Sequence, residues 1–167
     1  DLVECLPYDD AVYMLKVTGT QLERMIRHIL RDEAFQGEHT EFYQFSHGTH
    51  IVWSRSEQTF RTLTLDSEAL YAERLYTVAV QKYHYNNLKP FLDITLEEVE
   101  KNGKIRVLST SARDVVEEYL TVNQHLSREV EGLPEQQPGL LNGSLVQKSG
   151  SARWLFLMCR VNNPHQI

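Results

Sequence analysis

Tyr76–Asn87 reads YTVAVQKYHYNN. Its first half follows a strand pattern: Tyr76, Val78 and Val80 alternate with Thr77, Ala79 and Gln81, and β-branched and aromatic residues dominate. Its second half holds a cluster no strand requires, Tyr83 and Tyr85 around His84, followed by the turn formers Asn86 and Asn87 and the breaker Pro90. Two readings fit this strand end. Flat amphipathic rings delivered to a polar loop make a lip for a planar ligand, and the same rings also serve as ordinary core packing.

Upstream, AVYMLKV (Ala11–Val17) reads as a strand with apolar residues on both faces, the mark of a strand covered on both sides. Thr18-Gly19-Thr20 turns into a helix of about four turns, with Thr20 as N-cap and Glu23 completing a capping box. Leu22, Met25, Ile26, Ile29 and Leu30 share its apolar face, opposite Glu23, Arg24, Arg27 and Arg31. In FYQFSHGTHIVWSR, Phe42–Phe45 and His50–Arg55 read as strands either side of a Ser46-His47-Gly48 break. Thr59–Leu65 is the next strand, across a hairpin at Ser56-Glu57-Gln58.

Downstream, Thr95-Leu96-Glu97-Glu98 has capping-box spacing for a short helix ended by Asn102-Gly103. Lys104–Ser109 (KIRVLS) is a strand. TSARDVVEEYLTVN is a helix expected to keep Ala112, Val115, Val116, Tyr119 and Leu120 inside. Strands and helices mix without strict βαβ alternation, so the class is α+β. From Pro134 the composition turns to Gly, Pro, Ser and Gln without a sustained period, which sets the expected boundary near Leu133: a domain over 1–133 and a tail over 134–167. The apolar run Trp154–Cys159 is too short to span a bilayer, and it is read either as an added strand or as a foreign end.

The chain has 167 residues, enough for one domain with a proper core. Seventeen basic against 23 acidic residues give a net charge of −6, which excludes a broad nucleic-acid surface. Cys5 and Cys159 are too few for a disulfide framework or a zinc site, and the compartment stays open. No signal peptide is seen, and the chain starts without Met inside a patterned segment, so it is expected to be a fragment.

His47 and His50 are the closest histidine pair, with His39 and His84 elsewhere, but a strand points His47 and His50 to opposite faces, which is poor ligand geometry. Ser46-His47 lacks an identifiable acid partner and a nucleophile elbow. Asp9-Asp10 and Glu97-Glu98 read as a loop and a helix start. Tyr13, Phe42, Phe45 and Trp53 read as core.

Taken in order, LPYDDAVYMLKVTGTQLERMI, FYQFSHGTHIVW, YTVAVQKYHYNNLKPF and a helix closing on VEGL resemble the C-terminal domain of the 5′-nucleotidase family over Leu2 to Leu133, roughly four-fifths of the chain. The resemblance implies mixed sheets covered by helices, layered α/β/β/α. It also implies a preceding metallophosphoesterase domain of the same polypeptide, which holds two divalent metal ions and hydrolyses the phosphoester. No cofactor is expected in this chain.

The family's C-terminal domain sandwiches a nucleobase between two aromatic rings. Their positions here are Tyr8, after Pro7, and Tyr83, seven residues after Tyr76. Asp10 stands where the family carries a polar, usually amide-bearing residue. The family's Gly-Gly-Asp-Gly loop falls on Asn87-Leu88-Lys89-Pro90, so Lys89 replaces a ribose-binding carboxylate. An ammonium donates hydrogen bonds where a carboxylate accepts them. Two functions therefore stand: the nucleotide-specificity domain of a two-domain hydrolase, inactive alone, or a non-enzymatic binding or interaction module with an altered pocket.

Overall fold

The computed structural model describes residues 9–35, 42–46, 48–123, 135–136 and 154–161. It is an α+β structure. The strands are β1 (Val12–Thr18), β2 (Phe42–Phe45), β3 (Thr49–Ser54), β4 (Thr59–Leu65), β5 (Glu68–Ala69), β6 (Leu75–Gln81), β7 (Arg106–Ser109), β8 (Glu135–Gln136) and β9 (Trp154–Val161). The helices are α1 (Gly19–Ile29), α2 (Lys82–Asn86), α3 (Leu88–Leu92), α4 (Leu96–Asn102) and α5 (Ala112–Val122). One sheet runs β2-β9-β6-β1-β7 and the other β5-β4-β3-β8.

β1 and β6 are antiparallel in continuous register, from Val12 opposite Gln81 to Thr18 opposite Leu75. Alternation on both strands buries Leu15, Val17, Tyr76, Val78 and Val80. α1 lays Leu22, Met25, Ile26 and Ile29 into the same core, as the 3.6-residue periodicity requires. Among the residues whose burial is described, the apolar core runs from Leu15 to Val99. The β3–β4 hairpin forms across Arg55–Gln58, with Trp53 buried against Phe60 edge to face, ring centroids 4.8 Å apart. β2 and β3 do not pair with each other: they belong to different sheets. Trp154–Val161 forms a strand between β6 and β2.

Three expectations need correction. α1 starts two residues earlier than its capping pattern indicated. Thr18 is the N-cap, accepting from the Gln21 N–H at 3.2 Å, while Gln21 Oε1 accepts from the Thr18 N–H at 2.8 Å. Thr18-x-x-Gln21 and Thr20-x-x-Glu23 are equivalent capping patterns, and long-range contacts decide between them. The Gly19 N–H donates to the Arg74 carbonyl at 3.0 Å, and the Thr20 hydroxyl is drawn to the Ala72 carbonyl at 3.3 Å.

The stretch after β6 is helical rather than a polar loop. Pro90 sits in the first turn of α3, where its missing N–H and fixed φ carry no penalty, and Leu88 and Leu92 are buried beneath it. The third correction concerns α5, which has no buried residue. Val115, Tyr119 and Leu120, expected inside, are 39%, 56% and 36% exposed. Amphipathic spacing defines a stripe but not the surface that covers it.

Candidate functional site

Antiparallel pairing brings the start of β1 and the end of β6 to one end of the sheet. The Lys82 N–H donates to the Ala11 carbonyl at 2.7 Å, so the chain leading into β1 lies beside the start of α2. Asp10 and Tyr83 therefore share this end of the sheet, and both are half-buried. Tyr8 lies outside the described residues.

Tyr83 is held from its own strand end. Its ring meets His84 at 5.3 Å, edge to face, and Phe91 at 5.2 Å, tilted by 56°. His84, only 2% exposed, also meets Tyr43 at 5.8 Å and Phe91 at 5.4 Å, both edge to face. The imidazole is thus packed among three aromatic rings that come from β2, α2 and α3. Asn87 joins the two short helices: its side-chain amide donates to the Tyr83 carbonyl at 2.8 Å, and its backbone N–H donates to the His84 carbonyl at 3.1 Å. Most of its donor capacity is committed to fixing the turn.

Lys89 is exposed, and its ammonium binds the Asp93 carboxylate at 2.5 Å, one helical turn on. Asp93 occupies a left-handed C-cap (φ 50°) and also faces Arg24, Nε to Oδ2 3.8 Å. The Lys89 hydrogen bond, followed by the charges of Lys89, Arg24 and His28, holds the Asp93 carboxyl below its ordinary range despite partial burial. Arg24 in turn pairs with Glu98 at 2.6 Å, and Glu98 completes the Thr95 capping box. The rim around Lys89 is therefore a cation already shared with a carboxylate, so an anionic ligand group competes with Asp93 for it.

On the other flank, the Asp9 carboxylate accepts from Ser111 Oγ at 2.7 Å and from the Arg113 N–H at 3.1 Å. These bonds lower its pKa, the Ser111 bond contributing most. Asp9 thereby ties the entrance of β1 to the first turn of α5, and the Asp10 carbonyl accepts from the Ala112 N–H at 2.9 Å.

Of the sequence-predicted residues, Tyr83, Asn87 and Lys89 fall on one helical turn-helix unit, with Asp10 at the same end of the sheet. Sequence reasoning noted His84 beside Tyr83 but gave no site role to His84, Phe91 or Asp93. Phe91 closes the Lys89-Pro90-Phe91 motif and was visible as an aromatic there; the packing of His84 has no local signature. Among the described residues no group of three or more His, Cys, Asp or Glu side chains converges to hold a metal ion. His50 is exposed, and His39 and His47 lie outside the described residues.

A family model, 5′-nucleotidase, C-terminal domain, matches residues 1–92, more than half of the chain. It spans β1 through α3, the segment that carries Tyr83, Asn87 and Lys89. The chain belongs to the 5′-nucleotidase C-terminal domain family. No curated protein matches it. None of the described helices is long and apolar enough to cross a membrane.

Proposed function

We propose that this chain is the substrate-specificity domain of a two-domain 5′-nucleotidase-type metallophosphohydrolase. In this reading a nucleobase stacks between the rings of Tyr8 and Tyr83. The observation that carries the reading is Tyr83 itself: its half-buried ring stands at the end of β6, propped by His84 and Phe91, inside the segment that matches the family. Rings held from behind lose little conformational freedom when a base stacks on them. Each stacked face contributes about 1–3 kcal/mol on the scale measured for bases on aromatic side chains.

Asp10 and Asn87 supply polar rim groups, and Lys89 donates to ribose oxygens or meets an anionic group of the substrate. The phosphoester chemistry belongs to a preceding metallophosphoesterase domain of the same polypeptide, where two divalent metal ions would activate water and stabilise the leaving oxygen. This chain's own residues bind and orient. The specificity domain spans 1–133, and 134–167 is a tail whose apolar end adds a strand to the sheet.

One observation favours a second reading. The ammonium of Lys89, already paired with Asp93, stands where a ribose-binding carboxylate is expected. A pocket altered in this way suits a non-enzymatic binding or interaction module. Titration of adenosine and AMP against the chain and against Tyr83→Ala separates the two. Binding that disappears with the ring supports the specificity domain; absence of nucleoside binding supports the module.

A further inference from the structure

α3 is five residues long, and no side chain caps its N-terminus. A helix that short has no stability of its own, so its neighbours decide where it sits. Leu88 and Leu92 are buried beneath it. Apolar burial is non-directional: it holds the helix down without setting its rotation. The directional contacts come from α1. His28 Nε2 lies 2.9 Å from the Pro90 carbonyl, and because a carbonyl only accepts, the ring nitrogen donates. Arg24 Nε faces Asp93 Oδ2 at 3.8 Å, and Nη2 of the same guanidinium donates to Glu98 at 2.6 Å. Arg24 thus grips both ends of the α3–α4 connection, whose Ile94 is buried.

Phe91 lies between the two gripped positions, Pro90 and Asp93. Its ring reaches Tyr83 at 5.2 Å and His84 at 5.4 Å. His84 is the chain neighbour of Tyr83, whereas Phe91 brings it a contact from another helix. We infer that Arg24 and His28 are positioning residues for the Tyr83 ring, acting through α3 and Phe91. Both contacts are directional, and together they set the rotation of α3 about its axis. A rotated α3 carries Phe91 off Tyr83, and a ring left free to turn stacks on a base at a higher entropic cost. Part-exposed ion pairs of this kind add little to overall stability, so the network's effect is local. The consequence for ligand binding rests on the nucleotide reading; the positioning of the ring does not.

The test uses the whole chain with carbon-13 in its tyrosine rings, first without ligand. The Tyr83 and Tyr76 signals are assigned by their loss in Tyr83→Phe and Tyr76→Phe. Arg24→Met and His28→Leu should each move the Tyr83 signal, because the ring current of Phe91 changes, and leave that of Tyr76 in the core unmoved. His28→Gln keeps an N–H donor and should restore the Tyr83 signal, a rescue that loss of bulk packing would not show. In titrations, Arg24→Met and His28→Leu should weaken adenosine binding about threefold to tenfold, part of what one stacked face is worth, and His28→Gln should recover it. A Tyr83 signal unmoved in both Arg24→Met and His28→Leu overturns the inference, and so does a Tyr76 signal that moves equally with it. Wild-type chain that binds no adenosine sinks the nucleotide reading alone, because the Tyr83 signal decides the positioning without ligand.

Discussion

The ring of Tyr85 lies flat on the ring of Tyr13, centroids 4.1 Å apart and planes within 3°. This contact clamps α2, a helix of only five residues, to β1. An isolated helix of that length has no stability of its own, so the position of Tyr83 depends on the clamp two residues away. Tyr85→Ala should cost about 2 kcal/mol, combining lost burial with lost stacking. A double-mutant cycle with Tyr13→Ala should return a coupling of about 0.5–1.5 kcal/mol in chemical denaturation, and Tyr85→Phe should be near neutral. Zero coupling would show that the rings merely lie side by side.

Gly19 opens α1, yet replacing it with alanine, the better helix former, should destabilise the protein. A Cβ there would stand 2.2 Å from the Tyr71 carbonyl oxygen and 2.8 Å from its carbon, both backbone atoms. The propensity gain is about 1 kcal/mol at most, and the clash forces the β5–β6 connection to shift at about 1–3 kcal/mol. A lower denaturation midpoint for Gly19→Ala is the expected outcome, and a higher one contradicts the packing of α1 against Tyr71.

Asp9 gives a pH-dependent tether. Its folded pKa lies below its ordinary value because Ser111 and the Arg113 N–H bond the ionised form. A depressed carboxyl stabilises the fold fully above the unfolded pKa, about 3.9, and loses that contribution as the pH falls through the lower folded pKa. The Arg113 amide resonance should therefore titrate with a midpoint below that of a free aspartate, and this step should vanish in Asp9→Asn. A midpoint at or above the ordinary value would remove the tether from the account.

The proposed boundary at Leu133 is tested by truncation. Among the residues whose burial is described, the apolar core ends at Val99, within 1–133. Chain ended after Leu133 should keep a cooperative thermal transition while losing β9 from between β6 and β2. Limited proteolysis should cut first between Pro134 and Gly150, where the composition offers little to bury. If the truncated chain unfolds, β9 is part of the domain and the boundary moves to the end of the chain.

Local patterns were legible in the sequence where one interaction within a few residues decides the outcome. Thr95 and Glu98 form the capping box their spacing announces, and Gly103 ends α4 with φ 147°. The alternation of Leu75–Gln81 gave β6, and hairpin spacing gave β3–β4. Readings went astray where a distant group breaks a local tie. Thr18 and Thr20 offer the same cap, and Ala72 and Arg74 choose between them. Pro90 reads as a breaker until Leu88 and Leu92 are seen to bury a helix around it. The stacking of Tyr85 on Tyr13 and the packing of His84 among Tyr43, Tyr83 and Phe91 join residues up to 72 positions apart, beyond any local pattern. For α5 the stripe was legible and its exposure was not.

The central claim is that Tyr83, with Tyr8, receives a planar base, and calorimetric titration tests it most directly. Adenosine, AMP and a non-nucleoside phosphate are titrated into wild type, Tyr8→Ala, Tyr83→Ala and Lys89→Asp. The account predicts weak binding of adenosine and AMP to wild type and none of the non-nucleoside phosphate. Each alanine variant should lose about tenfold or more, the equivalent of one stacked face. Lys89→Asp should strengthen adenosine binding by restoring an acceptor for the ribose hydroxyls. Nucleoside binding that is unchanged in both alanine variants would contradict the claim and leave the two tyrosines as packing residues.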